Sequence, residues 1–467
     1  MLSWSREIVG GFARLFRADP QSSDTAFATQ IFAVAFVYIL DFAINVIQAA
    51  VRAFIVDCAP THQQEDANAW ASRMTGVGNI VGYLSGYLNL PLLLPWLGDT
   101  QFKILSEIAS IVMATTVIIS CLSIPEPDPR QLGAPIETGG GVFAFFRGLY
   151  LSITRLPPQI RKVCTVQLFA WIAWFPFLFY TTTYVAGIYA DPYFRENPHR
   201  SDEEINEIME AGTRVGTFAL LVFALVTFTA SVVLPFIITP SYKPIEDSQP
   251  ATTPMTPMRN QNSNRDEEGG YFNKKSGAKS RISRFFSAIG RGDLHIPALT
   301  LRRAWLLSHL VFTVLMFSTF AVKDANAAVV LIGLIGIPWA MSNWAPFALI
   351  SAEMSKRDAI RRGKRPPPPT AEGRLLAESG PGHKADEDEA EDQAGVILGI
   401  HNVAIAAPQV VATLLSSLIF RFLQKPRGTP GDDSVAWVLR FGGLCALGAA
   451  WATSRVQEGD ADEADGQ

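Results

Sequence analysis

The sequence predicts an all-α, multi-pass membrane protein on three counts. Of 467 residues, 49% are hydrophobic and 18% charged, against about 25% charge in an ordinary soluble chain. The mean hydropathy is positive, at +0.20. The apolar residues also gather in blocks of about 20, the length that crosses roughly 30 Å of hydrocarbon at 1.5 Å per residue. Together these exclude a soluble enzyme, a collagen-like chain and a mostly disordered protein.

Residues 1–27 place Trp4, Ile8, Val9, Phe12 and Phe16 at helical spacing with Arg6, Arg14 and Arg17 between them. That pattern predicts an amphipathic segment lying in the bilayer interface, and it lacks the continuous apolar run of a signal peptide. Nine apolar spans come next, at 28–51, 73–97, 103–124, 162–188, 212–239, 303–322, 327–350, 394–420 and 434–454. Each is predicted helical, because a backbone in lipid must satisfy its own polar groups. The spans are too long and too evenly apolar for barrel strands. Residues 455–467 form an acidic tail.

Charge assigns the loops to sides. Residues 125–161, 240–302 and 351–393 are rich in Lys and Arg, with KKSGAKSRISR at 274–284 and KRDAIRRGKRPPPP at 356–369. Excess Lys and Arg mark the cytoplasmic side, so these three are expected inside. The loops 240–302 and 351–393 read as disordered. Residues 189–211 carry seven acids against two arginines and are expected outside. Nine crossings then put the first residues outside, an arrangement that predicts an odd number of further helices upstream.

Charged groups at membrane depth cost about 2.5–3.5 kcal/mol each on insertion scales and need a reason to be there. In the first span, YILDFAINVIQAAVRAFIVD, Asp41, Asn45, Gln48 and Arg52 are spaced 4, 3 and 4 residues apart. At about 100° per residue they share one stripe roughly 60° wide. Asp41 lies mid-span, where desolvation favours proton exchange at accessible pH; a structural hydrogen bond between helices is the competing reading. Arg52 and Asp57 suit a gate or a structural ion pair, as does Arg73 at the start of the second span. There Gly78, Gly82 and Gly86 permit close helix approach, and Asn79 and Tyr83 beside them suit either a cavity wall or helix–helix hydrogen bonds.

The fourth span holds Trp171, Trp174, Phe175, Phe177, Phe179, Tyr180 and Tyr184, which could stack on the apolar faces of a sugar or form an interfacial belt. The seventh carries Asn343 and Trp344 between Pro338 and Pro346, a pattern that favours a broken, hinging helix. The eighth holds His401, Asn402, Pro408 and Gln409; His401 reads better as a partner of a neighbouring helix than as a titrating group. No GxSxG, HExxH, Walker loop, CxxC or Cys/His cluster occurs. Enzymatic activity, a metal site and a bound cofactor are therefore not expected, and neither is nucleic-acid binding.

LDFAINVIQAAVRAFIVD followed by ANAWASRMTGVGNIVGY is similar to the fourth and fifth helices of sucrose/proton symporters. WIAWFPFLFY with YADP resembles their seventh, and GIPWAMSNWAPFALIS and GVILGIHNVAIAAPQVV their tenth and eleventh. The order and spacing agree across residues 31–420, which identifies the chain with the glycoside–pentoside–hexuronide group of the major facilitator superfamily, in a fungal-type form. The resemblance implies a bundle of two six-helix halves in which this chain supplies three helices of the first half (28–124), the interdomain loop 125–161 and the six helices of the second (162–454). The first three helices of the family would then be missing.

The resemblance further implies proton-coupled transport of sucrose, maltose or a related α-glucoside. Asp41 takes the coupling carboxylate's place, and protons are the coupling ion. Asn45, Gln48, Asn79, Tyr83, Asn343, Trp344, Asn402 and Gln409 are candidate sugar contacts, with Trp171, Trp174 and Tyr180 as stacking groups. Where plant members have an Arg–Glu pair after the seventh-helix aromatics, this chain has Ala186 and Gly187. Sugar and the lipid bilayer are the expected partners, and the plasma membrane the expected location by family habit, with the vacuole as the alternative. The rival expectation is a truncated, non-transporting regulatory or scaffold protein that uses the basic 240–302 loop.

Overall fold

The computed structural model describes residues 2–15, 19, 22–58, 64–123, 147, 153–154, 156–197, 199–239, 296–361 and 386–457. The helices are α1 (Ser5–Leu15), α2 (Ser23–Cys58), α3 (Gln64–Tyr87), α4 (Leu90–Leu93), α5 (Gln101–Ser123), α6 (Pro158–Glu196), α7 (Asp202–Ile237), α8 (Leu301–Ser318), α9 (Ala325–Arg361), α10 (Asp386–Ala406), α11 (Pro408–Leu423) and α12 (Ser434–Thr453). Between α7 and α8, β1 (Ile238–Thr239) pairs in parallel with β2 (Ile296–Thr300).

Among the described residues, seven helical segments are long and apolar enough to cross a bilayer: Ser23–Gln48, Gln101–Ser123, Pro158–Glu196, Asp202–Ile237, Ala325–Met354, Val396–Leu423 and Ser434–Thr453. The protein is an integral, multi-pass membrane protein. Two of the nine expected spans, 73–97 and 303–322, fall outside those seven. The first is split, because α3 opens on the polar run QEDANAWASR and stops at Tyr87 before the short α4. The second is shorter than expected: α8 has 18 residues and carries Arg302, Arg303, Ser308 and His309.

Several boundaries have a local cause. The acidic stretch 189–211 is mostly helix rather than loop. Ser201 and Glu204 form a capping box, and Asp202, Glu203 and Glu204 fill the first turn of α7, where the helix dipole favours anions. Pro158 opens α6 at a position whose missing N–H has no partner to lose. Pro408 cannot donate to the turn before it, so the expected 394–420 span breaks into α10 and α11 at Ala407. α9 runs to Arg361 and α10 begins at Asp386, so both ends of the 351–393 stretch expected as loop are helical. β2 likewise lies within 240–302, whose residues 240–295, with the basic 274–284 run, lie outside the described residues.

The packed interior is built by α6, α7, α8, α9 and α12. Trp174, Trp305, Phe177, Phe312, Ile332, Ile335 and Leu439 are among its largest fully buried side chains. Small residues allow the close crossings that membrane helices need. Gly212 lies against Ala186, Gly216 against Thr182, Gly336 against Phe223 and Thr227, and Gly442 against Ala173. At one end the chain is clasped: Gln159 exchanges two hydrogen bonds with the backbone of Gln457, and Arg302 donates to Ser454 O and Val456 O.

The first-half helices sit more openly. α3 lies along α7, with Gly86 against Thr217 and Gly76 against Phe228. Gln101 caps the end of α3, donating to Ser85 O and Leu88 O and accepting from Leu90 N–H. α2 packs chiefly on α1 and α3, and its apolar side chains, from Phe27 to Phe54, remain largely exposed. α1, the segment expected to lie in the interface, is fastened to the start of α5. Lys103 there is 7% exposed, bonds Glu7 at 2.6 Å and Asp99 at 2.9 Å, and lies 4.4 Å from the Trp4 ring. The Lys103 bond holds both carboxyls below their ordinary range.

Candidate functional site

The sequence-predicted residues divide between two regions. On α2, Asp41 and Gln48 are exposed, on a helix that reaches neither α6 nor α9 as a main packing partner. The side chains of Asn45, Arg52 and Asp57 lie outside the described residues. On α3, Arg73 and Asn79 are exposed and Tyr83 is half-buried. These residues therefore line an open face rather than a closed pocket.

The second region is an aromatic cluster in the second half. Trp174 is 2% exposed, with ring centroids 4.3 Å from Phe312, 4.8 Å from Trp339 and 5.7 Å from Phe177. Its indole N–H donates to Ser342 Oγ at 3.1 Å, and Ser342 Oγ in turn donates to Pro338 O at 3.0 Å. Trp174 is thus a packed interior residue joining α6 to α9. One turn earlier, Trp171 is only partly buried, and its ring lies 5.3 Å from Phe175 and 5.9 Å from Trp339. Tyr180 is half-buried and meets Phe420 of α11 edge-on at 5.0 Å.

The remaining candidates spread over α9, α10 and α11. Asn343 is exposed and donates back to Trp339 O at 3.0 Å, while Trp344 packs against the core. Asn402 is exposed and Gln409 half-buried. The structure brings Trp171 and Trp174 together around Trp339, and it does not bring Asp41 to them. The departure at Ala186 is built into the packing. Ala186 is 1% exposed, and a methyl added at Gly212 would lie 2.9 Å from its Cα, leaving no room for an arginine side chain there.

Three polar residues escaped the sequence reading of the site. Gln167, 1% exposed on α6, places its Nε2 3.0 Å from His401 Nε2 of α10, while Phe347 stands 4.9 Å from the imidazole ring. The signal was a lone amide in the run TVQLFAWIAW, four residues before Trp171 and so on the same helix face. Ser342 stands four residues after Pro338, one turn on. Arg440, 4% exposed in α12, donates to Thr319 Oγ1 at 3.0 Å and stacks on Phe320 at 3.6 Å. It ties α12 to the end of α8.

No family model matches the chain. It is 32% identical to the general alpha-glucoside permease of Schizosaccharomyces pombe over 448 residues, 91% of this chain and 73% of that protein. It is 29% identical to the MFS-type transporter cctQ of Talaromyces islandicus over 160 residues, 34% of this chain and 54% of that one. Sucrose transport protein SUT5 of Oryza sativa subsp. indica is 26% identical over 219 residues, 44% of this chain and 39% of the rice protein. The chain thus spans about three quarters of the first relative's length and about half or less of the other two.

Proposed function

The chain belongs to the α-glucoside permease and sucrose transporter family of the major facilitator superfamily, and from that premise we propose that it moves sucrose, maltose or a related α-glucoside across a membrane, coupled to protons, by alternating access. The observation that carries the coupled part of this reading is Asp41. It is an exposed carboxyl within a largely apolar helix, on one stripe with Gln48. In that place a carboxyl is the group that would carry the coupled proton. In the protonated form it also gains an O–H donor that a sugar hydroxyl can accept.

Coupling requires that proton and sugar favour the same conformation. Asp41 serves that purpose if both ligands meet there, with Asn45, Gln48, Asn79, Tyr83, Asn343, Trp344, Asn402 and Gln409 as further sugar contacts and the α6 aromatics as a stacking wall. The reading of α9 as a moving part draws support from its internal prolines, Pro338 and Pro346, which interrupt the hydrogen-bond ladder.

Radiolabelled maltose and sucrose uptake into vesicles under an imposed pH gradient tests the proposal. Asp41→Asn is expected to abolish accumulation driven by the gradient while leaving passive exchange in place. Accumulation unchanged in Asp41→Asn refutes the mechanism.

A further inference from the structure

We propose that Gln167 and Trp171 of α6 form the pair that recognises a sugar hydroxyl, a role that rests on the transport reading above. Gln167 Oε1 and Trp171 Nε1 are both buried, and neither has a partner among the described residues. They lie four residues apart, one turn along the same face of α6. One is an acceptor and the other a donor.

A buried polar atom left unpaired forfeits the hydrogen bonds it made to water, a standing cost that a ligand can remove. Two of opposite sense, one turn apart on one helix face, suit a group that supplies both halves of a hydrogen bond. A hydroxyl does this: its oxygen accepts from the indole N–H while its proton goes to the amide oxygen. The pair is uncharged, which favours a neutral polyol over an acid or an amine. The amide is held in place because its other end meets His401 Nε2 at 3.0 Å. The Trp171 ring, with Phe175 at 5.3 Å and Trp339 at 5.9 Å, supplies an apolar wall for the C–H face of a sugar. One turn on, the Trp174 N–H already bonds Ser342 Oγ, so of these two α6 indoles only Trp171 keeps an open N–H.

The test is equilibrium dialysis of the purified full chain in lipid nanodiscs against radiolabelled maltose and a series of monodeoxy-maltoses. Trp171→Phe removes the N–H and keeps a ring; Gln167→Met removes the amide. Trp305→Phe, which deletes another buried unpartnered indole N–H on α8, is the control. Each of the first two is expected to weaken maltose about tenfold, the size of one hydrogen bond to a neutral ligand. Each should also lose the discrimination against one particular deoxy sugar, with the same sugar singled out by both. Trp305→Phe is expected to change nothing. If Gln167→Met fails to fold, Trp171→Phe carries the test. Wild type that binds maltose alongside variants that bind it equally well, or that lose every analogue by one common factor, overturns the assignment alone. Wild type that binds no α-glucoside overturns the transport reading, and this assignment with it.

Discussion

Gly336 is a point of close approach between α9 and α7. A methyl placed on its Cα would lie 2.7 Å from Phe223 O, 2.8 Å from Thr227 N and 2.9 Å from Thr227 Oγ1, where ordinary contact begins at 3.4 Å. Two of those three atoms are backbone, so no rotamer change relieves the clash and the helices must move apart. Overpacking of this kind costs about 1–3 kcal/mol. Replacing a helix-interior glycine by alanine gains about 0.5–1 kcal/mol where space is open. Gly399 of α10 provides that comparison, since nothing lies within 4 Å of its added methyl. Gly336→Ala should therefore melt below wild type by about 1–2 kcal/mol, and Gly399→Ala at or above it. Thermal unfolding in detergent can be followed, in a background with Cys58, Cys121 and Cys445 replaced by serine, through the buried thiol of Cys164, which becomes reactive to a maleimide dye as the bundle opens. The same displacement should loosen the Phe223–Trp339 contact, now 6.2 Å between centroids, and so disturb the aromatic cluster. If Gly336→Ala melts as high as Gly399→Ala, the inferred tightness of the α7–α9 crossing is wrong.

Two further predictions concern contacts seen only in three dimensions. Trp174→Phe and Ser342→Ala each remove the 3.1 Å bond between α6 and α9, at a cost of about 1 kcal/mol. The double variant should cost less than the sum of the two singles in the same melt, and strict additivity would deny the coupling. Lys103→Met should free α1. In wild type, Glu7 and Asp99 are held below the ordinary carboxylate range by the Lys103 bond, so their contribution to the attachment is full above that range and disappears as pH falls through their lowered values. Hydrogen exchange of residues 5–15 should stay slow at pH 7 and at pH 5 and quicken only in stronger acid, whereas in Lys103→Met it should be fast at pH 7 already. Slow exchange in the variant at pH 7 would show that apolar packing on α2 suffices.

Much of the architecture was legible from one-dimensional patterns because the bilayer restricts the choices. A run such as LVFALVTFTASVVLPFI in α7 has to be helical wherever it lies, since no other local structure satisfies its backbone in lipid. Ser201 with Glu204, and Pro408 between α10 and α11, mark boundaries in the sequence because caps and prolines act over three or four residues. The two spans least sharply marked, α3 and α8, are those whose polar residues dilute the apolar signal, and what holds them is contact with α7 in one case and with α9 and α12 in the other.

The site was legible by residue type and not by neighbour. Asp41 stands out in any reading, because a carboxyl within an apolar span has no ordinary reason to be there. Trp171 and Trp174 read alike in the sequence, yet the second is sealed against Phe312 and Ser342 while the first keeps an unmatched N–H one helical turn from Gln167. Their different surroundings come from α8, α9 and α10, whose relevant residues lie more than a hundred positions away along the chain. Composition and periodicity thus determined that this is a bundle of membrane helices with a carboxyl at depth, since those depend on chain and solvent alone. Which buried polar atoms are paired, and which are left unpaired, depends on how helices distant in sequence meet, and only the tertiary structure decided that.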